Sequence, residues 1–179
     1  EHLIHAELTK FYYASNILHS SQHGFSPGKS TISALKVIVD TVLEHKPIHK
    51  VALLAVDISG AFDNAWFPAI IRQLDQHQAP SSLIRIIQSY LTNRKVILSH
   101  SNKKCVKALT KGCPQGGIFS PFLWNLLLNE FLSNFDHNNA KAIAFADDIT
   151  FVVWSDTISN LKSEISFCFD QIYSWCNRV

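Results

Sequence analysis

The sequence has no methionine, four cysteines, and an excess of only two positive charges over 179 residues. Each shortage excludes something. Cys105, Cys113, Cys168 and Cys176 show no Cys-x-x-Cys spacing, so a zinc site is not expected and a reduced intracellular setting is the default. No apolar run approaches the roughly 18–20 residues of a membrane span, and no membrane partner is expected. No signal peptide is visible at the N-terminus. The net charge of +2 falls short of the strongly basic balance common in nucleic-acid binders. No repeat or low-complexity segment stands out. A chain that opens at Glu1 and closes at Val179, within or just past a helical pattern, reads as an excerpt of a larger protein.

What is there is a globular composition, 47% apolar and 17% charged, in a chain long enough for one substantial core or one and a half subdomains. Ile4, Leu8, Phe11 and Tyr12 have helical spacing. Ser30 is placed to cap a helix with a stripe of Leu35, Ile38, Val39 and Val42, ended by Pro47. The unbroken apolar run Val51–Val56 predicts a strand over 51–57 buried on both faces. Helices are expected over about 66–77 (Ile70, Ile71 and Leu74 inward) and from Pro80–Ser81 (stripe Leu83, Ile86, Ile87, Tyr90, Leu91). Lys95–Ser99 and Cys105–Thr110 read as a hairpin around Asn102. An apolar helix runs from Pro121 to about Phe135, and Ile158, Leu161, Ile165, Phe169 and Ile172 mark a last one. Helices mixed with antiparallel hairpins point to an α+β fold rather than a doubly wound sheet.

Asp147 and Asp148 lie between two apolar runs, where two strands would turn, and Asp57 ends the run from Val51. Phosphoryl transfer to a 3′-hydroxyl needs one metal to lower the hydroxyl's pKa. It needs a second to hold the triphosphate and the leaving group. Carboxylate oxygens suit Mg²⁺. Crowded together without metal, such carboxylates would repel one another. A lone Asp-Asp pair is usually just a turn. Three further segments change that reading.

In Asp57-Ile-Ser-Gly-Ala-Phe-Asp63, the chain leaves the strand, turns at Gly60 and places Phe62 five residues after Asp57. An aromatic ring beside the sugar of an incoming nucleotide clashes with a 2′-hydroxyl; a core aromatic is the alternative. In Gly112-Cys-Pro-Gln-Gly-Gly117, glycines let backbone approach a ligand, and Gln115 can bond a nucleotide or nearby backbone. Gln22-His-Gly-Phe-Ser-Pro-Gly-Lys-Ser-Thr31 nearly spells a P-loop. Gly24 and Gly28 have three residues between them instead of four, Pro27 stiffens the loop, and no good strand precedes it. Lys29 remains a candidate point charge for phosphate. His45 and His49 are split by Pro47 and are not read as a metal pair. The four tryptophans are expected in the core or between subdomains. Arg72, Arg85, Arg94 and Lys95 are expected on a solvated surface, Arg94-Lys95 with an option on a nucleic-acid backbone.

These segments in this order closely resemble the reverse transcriptases of non-LTR (LINE-type) retrotransposons, over nearly the whole chain. The resemblance implies a right-hand polymerase: a partial fingers segment at 1–50 and a palm over 51–179, with the thumb missing. It implies Asp57 and Asp147 as ligands of two Mg²⁺ ions (Mn²⁺ a possible substitute) and Asp148 completing the acidic cluster. Phe62 matches the sugar-selecting aromatic, and Gln115 and Gly116 match the loop near nucleotide and template. The implied partners are an RNA template, a DNA primer and dNTP. Nuclear action follows only from how related elements integrate. Ser26 departs from the family's frequent arginine, and the downstream lysine motif has no counterpart; lacking the thumb and much of the fingers that would clamp a primer-template, the piece alone is expected to be inactive. A viral RNA-dependent RNA polymerase fits less well, because that family favours Asp where this chain has Phe62 and Gly where it has Ala146. A catalytically dead palm serving as an RNA-binding scaffold or retroelement fossil is the reading from another class.

Overall fold

Leu8 and Tyr12, buried from the helical stripe of the first segment, anchor α1 (His2–Ala14) in a computed structural model that describes residues 2–14, 17–101 and 103–179. The elements that follow are α2 (Thr31–His45), β1 (Lys50–Asp57), α3 (Ala61–Asn64), α4 (Phe67–Gln76) and α5 (Ser81–Leu91). Then come β2 (Lys95–His100), β3 (Lys103–Ala108), α6 (Ser120–Asn134), β4 (Ala140–Phe145), β5 (Asp148–Ser155) and α7 (Ile158–Cys176). They form two compact units, 1–17 with 60–127, and 18–59 with 128–179. No described helix is long and apolar enough to cross a membrane.

The unit of 18–59 and 128–179 is built on an antiparallel sheet of order β1-β5-β4. One face packs on α2: Ala34, Ile143 and Val152 are buried together, with Ile38, Val42, Val51 and Trp154 against them. On the other face Phe151 meets Phe135 at 5.2 Å and Phe131 edge-on at 6.1 Å, and Phe131 meets Trp175 of α7 at 5.7 Å. Such pairs contribute about 0.5–1.5 kcal/mol each beyond the area they bury. Ser30 and Ser33 cap α2 reciprocally: Ser30 Oγ accepts from Ser33 N at 3.2 Å, and Ser33 Oγ accepts from Ser30 N at 2.9 Å.

In the unit of 1–17 and 60–127, α4 buries Ile70 and Leu74, and α5 buries Leu83, Ile87 and Leu91. The first half of α6 packs Phe122 on Tyr12, with ring centroids 3.6 Å apart. Strands β2 and β3 form an antiparallel hairpin exposed along its whole length. The expected centre of that hairpin, Asn102, lies outside the described residues.

Several expectations need correction. β1 is an edge strand, not one buried on both faces: Leu53 is 58% exposed. An apolar run reads the same at an edge as at a centre, because the neighbour that buries a strand is a tertiary fact. On α2 the inward residues are Ala34, Ile38, Thr41 and Val42, while Leu35 and Val39 face out with Ile32 and Leu43. That helix carries two apolar stripes, and periodicity alone does not choose between them. α7 buries Cys168, Ile172 and Trp175, leaving Ile158 and Phe169 exposed, and Ile86 of α5 is also exposed. Trp124 and Trp175 are core residues, but Trp66 is 43% exposed.

Candidate active site

The ladder between β1 and β5 places Asp57 directly opposite Asp148, so both carboxylates project from the same face of the sheet. β4 pairs with β5 up to Phe145↔Asp148, which leaves Ala146 and Asp147 as a two-residue loop. Ala146 has φ +59°, and Asp147 has no such positive φ. This is the sign pattern of a turn that prefers glycine at its first position. Asp57 and Asp148 are exposed and Asp147 is half-buried. Farther along the same face, Val152 and Trp154 lie under α2. Three acidic side chains thus share one open end of the sheet.

These donors fit a hard divalent cation in kind, since all are carboxylate oxygens. Among the described residues, no three His, Cys, Asp or Glu side chains converge closely enough to cage an ion unaided. Mg²⁺ does not require such a cage: it is commonly held by one or two carboxylates, with waters and substrate phosphates completing the shell. Asp57 and Asp147 would hold such ions, with Asp148 beside them.

Ser21–His23 lies along the free edge of β4. Ala144 N donates to Ser21 O at 2.9 Å, and His23 N donates to Ala144 O at 2.8 Å. Lys29 Nζ donates to the carbonyls of Ser20 and Gln22, at 2.5 and 2.9 Å, so its charge first serves to hold this segment. Burial lowers the Lys29 pKa. Burial, and secondarily the charge of Lys29, lowers those of His19 and His23. Gln22 is buried against the Ala146 turn, a role its place in a polar loop did not disclose. The sequence signal for it was weak: a polar stretch with no apolar anchor, running into Gly24. His45 is stacked on Trp154, centroids 3.7 Å apart, which accounts for it without a metal.

In the other unit, the loop containing Gln115 and Gly116 is joined to the segment containing Phe62. Cys113 N donates to Phe62 O at 2.7 Å, and Gly112 N donates to Ala65 O at 2.8 Å. Gln115 Nε2 donates to Asp63 Oδ1 at 3.0 Å, and Lys111 Nζ donates to Asn64 Oδ1 at 2.7 Å. Gly112 has φ +96°, and a Cβ there would lie 2.8 Å from Asp63 O, so glycine is needed twice over. The half-buried Phe62 ring lies 5.7 Å from that of Trp124. Gly116, at φ +81°, is exposed. Burial pushes the Cys113 thiol up to about 12, so it is no nucleophile at neutral pH. Arg94 is not simply a solvated surface charge: its Nη1 donates to Gly112 O at 3.3 Å.

The polypeptide matches the family described as "Reverse transcriptase (RNA-dependent DNA polymerase)" over residues 1–178. It is 33% identical over 158 residues to the Pol polyprotein of type-1 retrotransposable element R1 from Bradysia coprophila, covering 88% of this chain and 15% of that protein. It is 25% identical to the RNA-directed DNA polymerase from mobile element jockey of Drosophila funebris, covering 86% of this chain and 18% of that one. The chain spans 15% to 28% of the length of the curated relatives it matches. Among solved structures, apo telomerase from Candida tropicalis truncated from its C-terminal domain gives a TM-score of 0.65 at 13% identity, covering 96% of this chain and 36% of that one. Telomerase from Candida albicans gives 0.63 at 12% identity, covering 92% and 31%. At such identities the likeness bears on the fold alone, and it supports the expected α+β palm-type architecture. The sequence matches, which run through Asp57, Phe62, Gln115 and the Asp147-Asp148 turn, establish the rest: the chain belongs to the reverse transcriptase (RNA-dependent DNA polymerase) family.

Proposed function

We propose that this chain carries the nucleotidyl-transfer centre of an RNA-directed DNA polymerase from a non-LTR retrotransposon, extending a DNA primer on an RNA template. The observation that carries the reading is the β1-β5-β4 register, which brings Asp57, Asp147 and Asp148 to one end of a sheet. The primer 3′-oxygen bonds to the α-phosphorus of the dNTP, the bond to pyrophosphate breaks, and the hydroxyl proton passes to solvent. Two Mg²⁺ ions, with Mn²⁺ as a substitute, would supply charge neutralisation and an acidified 3′-hydroxyl. Asp57 and Asp147 orient that chemistry as acceptor-only ligands, and Asp148 adds negative charge that favours cation binding. Phe62 restricts the sugar to 2′-deoxy. Gln115 and Gly116 offer a side-chain amide and an uncrowded backbone to nucleotide and template. Lys29 contributes positive charge.

Charge distribution supports a nucleic-acid partner better than the net charge does. Between Gln76 and Asn129 there are seven Lys or Arg and no Asp or Glu, and three of those lysines, Lys103, Lys104 and Lys107, stand on β3. In the same proposal, 1–50 is a fingers segment and 51–179 belongs to the palm.

The test is primer extension by the complete protein on an RNA template. Mg²⁺-dependent incorporation of dNTP in preference to ribonucleotides is expected, and chelation stops it. Template-independent addition, or a preference for ribonucleotides, would overturn the assignment.

A further inference from the structure

Ala146 is the residue immediately before Asp147, and its φ of +59° is one that an alanine adopts only at a cost. Such a conformation persists where the surroundings over-determine it. Gln22 supplies that constraint. Its side chain is 1% exposed. Gln22 Nε2 donates to Ala146 O at 3.3 Å, and Gln22 Oε1 accepts from Ala146 N at 3.3 Å. The same Oε1 accepts from Gly24 N at 2.8 Å, which fixes the amide plane. One side chain therefore holds both backbone polar groups of the strained residue. The clamp is itself held: its backbone is bridged to Ala144, its carbonyl accepts from Lys29, and Gly24 lies so close to the turn that a Cβ would fall 2.1 Å from Ala146 N.

We infer that Gln22 is a positioning residue for nucleotidyl transfer: its amide locks the Ala146 peptide and thereby sets the direction in which the Asp147 carboxylate projects. This rests on the reading of Asp147 as a metal ligand. Gln22 does not touch substrate. It acts on Asp147 through the Ala146 peptide, as an outer hydrogen-bonding partner acts on a ligand in other metal sites, where removal of such a partner weakens metal affinity or activity about 10–100-fold.

The test uses the complete protein with Gln22→Met, which keeps the length and volume of the side chain but removes its polar atoms. Gln22→Glu serves as a second variant, retaining an acceptor for the two N–H groups and losing the donor to Ala146 O. Three readouts are compared with wild type. Amide hydrogen exchange across Ala144–Ile149 should speed up about tenfold or more for Gln22→Met, because the turn opens more often. Mn²⁺ affinity, read by electron paramagnetic resonance without nucleotide, should weaken about tenfold. In primer extension, kcat should fall about 10–100-fold while KM for dNTP moves less than about twofold. Gln22→Glu should also speed exchange across the turn and lower kcat relative to wild type, because its second carboxylate oxygen cannot donate to Ala146 O and faces it at a buried position. If Gln22→Met does not fold, Gln22→Glu alone decides, and wild-type exchange and kcat there would overturn the inference. Asp147→Asn is run beside them. If Asp147→Asn keeps wild-type Mn²⁺ affinity and synthesis, the metal-ligand reading fails. If Asp147→Asn loses both while the Gln22 variants match wild type, only the clamp fails.

Discussion

Adding one methyl group at Gly24 is expected to damage this protein more than most single substitutions. The new Cβ would lie 2.1 Å from Ala146 N, 2.8 Å from Ala146 Cα and 3.0 Å from Phe145 C, all of them backbone atoms. Ordinary contact begins at 3.4 Å, so the two backbones must part by about 1.3 Å in an interior with little free volume. They are tied on both sides of the clash, by the Ser21 and His23 bonds to Ala144 and by the Gln22 amide on Ala146. Overpacking of this kind costs about 1–3 kcal/mol. Losing one or two of the Gln22 bonds adds about 0.5–1.5 kcal/mol each. The sum for Gly24→Ala is about 1.5–6 kcal/mol, against a typical domain stability of about 5–15 kcal/mol. Gly28→Ala is the control: nothing lies within 4 Å of its Cβ, but its φ is +72°. Its cost is conformational only, about 1–2 kcal/mol. Urea unfolding of both variants and wild type measures the difference, and primer extension should show about a hundredfold loss for Gly24→Ala from misplacement of the adjoining aspartate turn. Unfolding free energy for Gly24→Ala within about 0.5 kcal/mol of wild type would refute the reasoning.

Phe62→Ala should raise ribonucleotide use relative to dNTP by about tenfold or more, read as the ratio of kcat/KM values; an unchanged ratio removes Phe62 from sugar selection. Burial, aided by Lys29, holds the His19 and His23 pKa values below 6.5 in the folded state. The unfolded chain takes up protons there as pH falls through 6.5 and the folded chain does not, so this stability is complete above that pH and is lost below it. The urea midpoint should therefore drop between about pH 7.5 and 5.5, and drop less in His19→Gln/His23→Gln; an equal drop in that variant counts against these two histidines as the source. Replacing Lys103, Lys104 and Lys107 by Gln should weaken template binding similarly across sequences and flatten its salt dependence by up to about 0.7–0.9 log units per lost phosphate contact. An unchanged slope would take β3 out of the nucleic-acid surface.

Much of the candidate site was legible because it sits where strands end. Asp57 closes an apolar run and Asp147-Asp148 separates two others, and strand ends are punctuated in sequence by the loss of apolar residues. The turn at Gly60 and the glycine-bearing loop at 112–117 were legible for a related reason: their backbones need φ values that glycine supplies. What was hidden depends on partners. Nothing local to Val51–Asp57 says that β5 takes the centre of the sheet and leaves β1 at its edge. Nothing in α2 decides between Ile38 and Val42 on one stripe and Leu35 and Val39 on the other. Gln22 was the costliest miss, since a buried glutamine looks like a solvated one until the turn it bonds, 124 positions away, is folded against it. The positive φ of Ala146 is equally invisible, because alanine carries no signal for it.

The most direct measurement of the central proposal is metal binding and single-turnover primer extension by the complete protein carrying Asp57→Asn or Asp147→Asn. These substitutions keep side-chain size and remove the anionic ligand. Two-metal transfer at these residues requires that each variant bind Mn²⁺ at least about tenfold more weakly and lose about a thousandfold or more in rate, as expected when several kcal/mol of transition-state stabilisation go. RNA-templated synthesis at near wild-type rate in either variant would contradict the assignment of Asp57 and Asp147 as the metal ligands.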